Sequence, residues 1–135
     1  MTAMIHGHLR FTRAGLDDDA ETRAQNVNGF AGYNCANWLK QSLATFPEAR
    51  VRGEPIAEDW GWALVFDIGP DAFVIGCSAD EETPNGWQVL VGDNVNRGFW
   101  PATRRRRATA LEALTKHIDA FLRTQVDVTN VIREG

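Results

Sequence analysis

Arg104, Arg105, Arg106 and Arg107 are consecutive, and Arg97 brings five arginines into eleven residues. Guanidinium groups grip phosphate or carboxylate through paired N–H donors. Phe99 and Trp100 adjoin the run, and arginine and tryptophan are the side chains most enriched in protein interface hot spots. Arg97, Phe99, Trp100, Arg104, Arg105, Arg106 and Arg107 are therefore the candidate binding residues. A helix starting near Thr103 or Arg104 would set these cations at the positive end of its macrodipole, unfavourable by a few tenths to about 1 kcal/mol per charge. A bound anion relieves that cost, because the free N–H groups of the first turn and the guanidinium groups both suit it. The competing reading is a solvated turn paired with Asp80-Glu81-Glu82 or Asp17-Asp18-Asp19, worth about 0–1 kcal/mol per surface pair.

A second cluster is Glu58-Asp59-Trp60-Gly61-Trp62. A carboxyl group beside an indole can have its pKa raised by desolvation, so Glu58, Asp59 and Trp60 are a candidate pocket lining. Neighbouring residues on a strand point to opposite faces, however, so Glu58 and Asp59 do not converge as an acid/base pair. A turn leading into a core strand accounts for the same residues, since each tryptophan can bury on the order of 150–250 Å².

The remaining chemistry is sparse. His6 and His8, two apart on a strand, are expected to face the same way with metal-competent spacing, but no spacing ties His117 or a carboxylate to them. No metal and no cofactor is expected. Cys35 and Cys77 have no CxxC partner and are read as buried free thiols, a helix carrying one and a strand the other. No nucleophile elbow, cysteine-protease signature or phosphate-cradling glycine loop surrounds any serine, cysteine or lysine, so no catalytic residue is nominated and the reading leans away from an enzyme.

Glu58 to Trp62 opens an apolar strand, after an amphipathic helix containing Trp38-Leu39 and then Glu54-Pro55-Ile56. Over residues 28–68 this arrangement resembles a group of small uncharacterised bacterial proteins. The resemblance implies a bacterial origin and one small domain, and it carries no activity with it.

The elements that must position these residues follow from periodicity. Residues 4–12 alternate, with Ile5, Leu9 and Phe11 on one face around Gly7, and His6, His8 and Arg10 on the other. Residues 13–28 are polar and read as a loop, with Asp19 or Thr22 able to cap a short helical turn. Residues 30–46 place Phe30, Tyr33, Trp38, Leu39, Leu43 and Phe46 at helical spacing, and Pro47 ends that helix. A strand is expected at 50–56, with Pro55 at its edge or end. Trp60, Trp62, Leu64, Phe66 and Ile68 alternate along the strongest strand, and Phe73, Ile75, Cys77 and Trp87, Val89, Val91 mark two more. Gly69-Pro70-Asp71 and Asn85-Gly86 are turn signals that make these strands antiparallel neighbours. A second long helix carries Ala108, Leu111, Leu114, Ile118, Phe121 and Leu122, and residues 127–134 form a tail.

The expected fold is α+β: a two-layer sandwich of an antiparallel sheet of about five strands with two helices on one face, in the order β-α-β-β-β-β-α. The outer face of the sheet is expected to show His6, His8, Arg10, Arg50 and Arg52. A chain of 135 residues with 44% hydrophobic and 24% charged composition suits a single domain spanning 1–135.

Net charge is −4, with twelve arginines and two lysines, which disfavours a generic nucleic-acid binder. There is no signal peptide pattern at Met1 to His8 and no apolar run near 20 residues, so a cytoplasmic location away from membranes is expected. These readings converge on a non-catalytic protein-binding module, such as a bacterial immunity protein or inhibitor, that grips an acidic partner surface. A ligand-binding protein or enzyme with a pocket at Glu58, Asp59 and Trp60 is the alternative, and nucleic-acid binding through the arginines is the third. Oligomeric state is left open.

Overall fold

The computed structural model describes the backbone of residues 4–93 and 101–134. Arg97, Phe99 and Trp100 lie outside the described residues.

Strand β1 (Met4–Thr12) is followed by a short helix α1 (Ala20–Ala24) and by helix α2 (Tyr33–Ala44). Then come β2 (Ala49–Val51), β3 (Ile56–Glu58), β4 (Gly61–Ile68), β5 (Asp71–Asp80) and β6 (Gly86–Asp93). Helix α3 (Pro101–Thr124) and strand β7 (Thr129–Arg133) follow. The strands form one seven-stranded sheet in the order β2-β4-β5-β6-β1-β7, with β3 also paired to β4. Every pairing is antiparallel.

The α+β class and antiparallel sheet are as expected, but the sheet is larger than five strands and the element order differs. The single strand expected at 50–56 is two: β2 and β3 both pair along one edge of β4, at its two ends. Pro55, without an N–H to donate, lies in the break between them. The expected C-terminal tail is instead edge strand β7, because Val131 packs against the core when the segment aligns with β1. Asp19 does cap α1, its side chain accepting the Thr22 N–H at 2.7 Å.

Alternation sets which face is covered. Trp62, Cys77, Val89 and Leu9 form one cross-strand row on the inner face, Leu64, Ile75 and Val91 a second, and Phe66 and Phe73 a third. All are buried, at roughly 1.5–3 kcal/mol for each large apolar side chain. Helix α2 meets them with Cys35, Ala36, Leu39 and Leu43, and α3 with Leu111, Leu114, Ile118 and Leu122, each set at spacings of three and four. Trp38 joins the two layers, its ring 5.7 Å from Phe11 and 5.4 Å from Phe121.

Two local devices hold this geometry. Gly32 begins α2 without a capping side chain, so the buried Asp18 supplies the cap from a distant loop. Its carboxylate accepts the N–H groups of Gly32 and Tyr33 at 2.9 Å and of Asn34 at 2.8 Å. Gly7 lets α3 approach the sheet, since a Cβ there would stand 2.6 Å from the Thr115 hydroxyl.

Candidate functional site

The arginine run belongs to the start of α3. Pro101 opens the helix, where its missing N–H costs nothing. Helical spacing then assigns the four arginines different surroundings. Arg107 stands four residues before Leu111 on the inward stripe and is buried. Its Nε lies 3.1 Å from Asp93 Oδ1, its Nη1 3.0 Å from Asp71 Oδ1, and its Nη2 donates to the Ala72 carbonyl at 2.7 Å. The guanidinium also lies over the Phe73 ring, 4.8 Å from its centroid. Arg106 makes a bidentate pair with Asp71, both bonds 2.9 Å long. That pair holds the Asp71 carboxyl below its ordinary pKa, against the opposing effect of burial.

Arg106 and Arg107 therefore pin α3 to the end of the β4–β5–β6 sheet. The expected partners, Asp80-Glu81-Glu82 or Asp17-Asp18-Asp19, are not the ones used. As a buried residue, Arg107 is unavailable for docking. The pattern was present in the sequence: Asp71 is in phase with Phe73 and Ile75, and Asp93 with Val89 and Val91, so both carboxylates had to point inward. An inward carboxylate needs a cation or donors to offset its lost hydration, and Arg107 in phase with Leu111 supplies them.

Arg104 and Arg105 have no such role. Both are exposed, and neither makes an ion pair among the described residues. Further along the helix, exposed Lys116 adds a cation, while Glu112 and Asp119 are already engaged by Arg133 and Arg123. The exposed side of α3 is thus a basic strip in a chain of net charge −4.

The second cluster opens onto the surface. Glu58, Asp59 and Trp60 are exposed, and they do not line the two concavities described on the molecule. Asn26 and Asn28 hold this turn in place, donating side-chain N–H groups to the carbonyls of Glu58, Asp59 and Gly61 at 2.6–2.8 Å. Trp62 is the buried member, its indole N–H donating to the Phe30 carbonyl at 3.0 Å. Trp60 lies over Gly76 on the face of the sheet away from the helices.

The two strand histidines do not converge. A register irregularity between Ile5 and Gly7 breaks the alternation. His6 reaches Glu112 of α3 at 3.5 Å, whereas His8 lies 3.1 Å from both Gln88 and Glu134. The expectation that they share a face is thereby corrected, and the outer face keeps His8 and Arg10 without His6. His117 is occupied elsewhere, bonding the Ser42 carbonyl at 2.8 Å. No group of three or more histidine, cysteine or acidic side chains suited to a metal occurs among the described residues. Cys35 and Cys77 are free, buried neighbours, and burial pushes the Cys35 thiol well up.

Among the described residues no helix is long and apolar enough to cross a membrane. Comparison of the chain with protein-family models, with curated proteins and with solved structures returns no match.

Proposed function

We propose that the chain is a non-catalytic protein-binding module, of the kind a bacterial immunity protein or inhibitor represents, that meets an acidic partner surface at the start of α3. The observation that supports this reading is the division of labour in the arginine run. Arg106 and Arg107 are neutralised by Asp71 and Asp93, while Arg104 and Arg105 stay exposed and uncompensated beside them. Two unpaired cations at the positive pole of a 24-residue helix repel one another and the dipole, and a carboxylate-bearing partner relieves both effects. Residues Arg97, Phe99 and Trp100 precede this turn in sequence and would extend the same contact.

Such a contact acts first on association rate, because rim charges steer encounter. The test is capture of partners from a bacterial lysate by the wild-type chain and by an Arg104→Glu/Arg105→Glu variant, each confirmed as folded by circular dichroism. The expected result is a partner retained by the wild type at low salt, released as salt rises, and lost in the variant. Equal recovery by both forms would sink the reading. A captured nucleic acid in place of a protein would favour the phosphate-binding alternative, whose affinity must fall steeply with salt.

A further inference from the structure

Helices α2 and α3 both pack on the inner face of the sheet, and neither covers the outer face. One row of directly opposed residues crosses it: Ile56, Ala63, Gly76, Leu90 and His8. At its middle lies Trp60. A Cβ on Gly76 would stand 2.4 Å from Cη2 and 2.6 Å from Cζ3 of that indole, so the missing side chain is the seat for the ring. Trp60 nonetheless remains 39% exposed, and Ile56, at the end of the row, 53% exposed. The indole is thus held against the sheet on one side and open on the other, an aromatic platform that loses little freedom on binding.

Among the described residues, the unpaired charges beside the platform are those of Glu58 and Asp59, while Arg50, unpaired on the same face, lies opposite Asp67 toward the other end of β4. Arg52 is committed to Asp67 through two bonds of 2.9 and 2.6 Å, and Arg10 lies 3.5 Å from Glu134. Glu58, on the same face as Ile56, and Asp59 beside Trp60 have no ion pair among the described residues. An exposed indole face with carboxylates beside it attracts a cationic side chain through the ring quadrupole and through charge.

We propose that this face is a docking surface for a cationic segment of a partner protein, with an arginine or lysine side chain stacked on Trp60 beside Glu58 and Asp59. The surface is distinct from the start of α3 and opposite in sign. Strand β4 separates the two, eight residues or about 25 Å at the rise of an extended chain.

The experiment follows the indole N–H resonance of Trp60, assigned by its loss in Trp60→Phe, in the full-length ¹⁵N-labelled chain. The probes are a blocked six-residue peptide of alternating arginine and alanine and its glutamate counterpart. The arginine peptide is expected to shift the Trp60 resonance saturably, and the glutamate peptide to leave it in place. Glu58→Gln with Asp59→Asn is expected to weaken the arginine peptide at least fivefold. Gly76→Ala, which displaces the ring without deleting it, is expected to do the same. Should Gly76→Ala fail to fold, Trp60→Ala at its exposed position takes that arm, followed through the backbone amide resonances of Gly61 and Gly76 in place of the indole N–H. A Trp60 resonance unmoved by the arginine peptide, equal affinity in these variants, or a dimer that buries Trp60 in sedimentation and solvent-exchange measurements would overturn the proposal. Arg104→Glu/Arg105→Glu is expected to leave this titration unchanged, which separates its outcome from that of the lysate capture.

Discussion

Arg107 combines the greatest burial with the most demanding partners of any cation described here. It answers one inward carboxylate from β5 and another from β6, and a third bond goes to the Ala72 carbonyl. Removing one member of a buried ionic cluster leaves the others desolvated and unpaired, which typically costs 3–5 kcal/mol, roughly. Arg107→Met, close in length but without charge, is therefore expected to lower unfolding free energy by about 3–5 kcal/mol in urea titrations. Asp93→Asn is expected to be destabilising in the same direction. A loss below about 1 kcal/mol in both would show that the cluster is solvated in solution. Arg104 lies one helical turn away in the same run, yet its replacement should be nearly silent in stability because it is exposed and unpaired. Four identical letters thus split into two anchoring side chains and two available ones, and helical phase made the division.

Among the elements, α2 depends most on something outside itself. It is twelve residues long, short enough that an isolated helix of its length is marginal in water. Gly32 offers no capping oxygen, and Asp18 fills that role with three N–H bonds from a buried position. Charge-assisted bonds contribute roughly 1.5–3 kcal/mol, and an anion at a helix N-terminus gains further from the dipole. Asp18→Ala is expected to destabilise the chain by about 2–4 kcal/mol and to raise amide exchange first at residues 33–36. Uniform acceleration of exchange across the sheet instead would show that the cap is no local feature. Asp18 was legible only as one of three adjacent aspartates. Its difference from Asp17 and Asp19 comes from a loop that returns to α2, a contact that no local periodicity encodes. By contrast, α3 and the β4–β5–β6 meander were legible directly, because repeated apolar residues at period 3.6 or 2 define a buried face without knowledge of what covers it.

Across the whole molecule, several carboxyl groups are held below their ordinary pKa by hydrogen bonds to their charged form: Asp71 by Arg106, Asp67 by Arg52, Glu112 by Arg133 and Glu54 by Tyr33. Their folded-state pKa lies below the unfolded value, so the folded chain binds fewer protons in acid than the unfolded chain does. Their stabilisation is present in full above the unfolded values, 3.8 for aspartate and 4.5 for glutamate, and is lost as pH falls through the lower folded values. The urea midpoint is accordingly expected to stay level over the weakly acidic range where these groups are ionised in both states, and to fall below about pH 4. Asp71→Asn should flatten that fall, and an unchanged acid profile in this variant would remove Asp71 from the account.

The layers of this protein were readable from the chain alone. Alternation in residues 61–68, 71–80 and 86–93 and the stripes of the two long helices demand burial, and one sheet face against two helices is the compact way to provide it. Partnership was not readable in that way. The Arg107 cluster, the parting of His6 from His8 at an irregular register, the division of residues 49–58 into two strands and the seating of Trp60 on Gly76 all depend on pairing between distant segments. Hydrophobic period is a local property, and a few residues reveal it. Which carboxylate meets which cation, and which ring finds a gap, are set by long-range register and close approach, which exist only after the chain has folded.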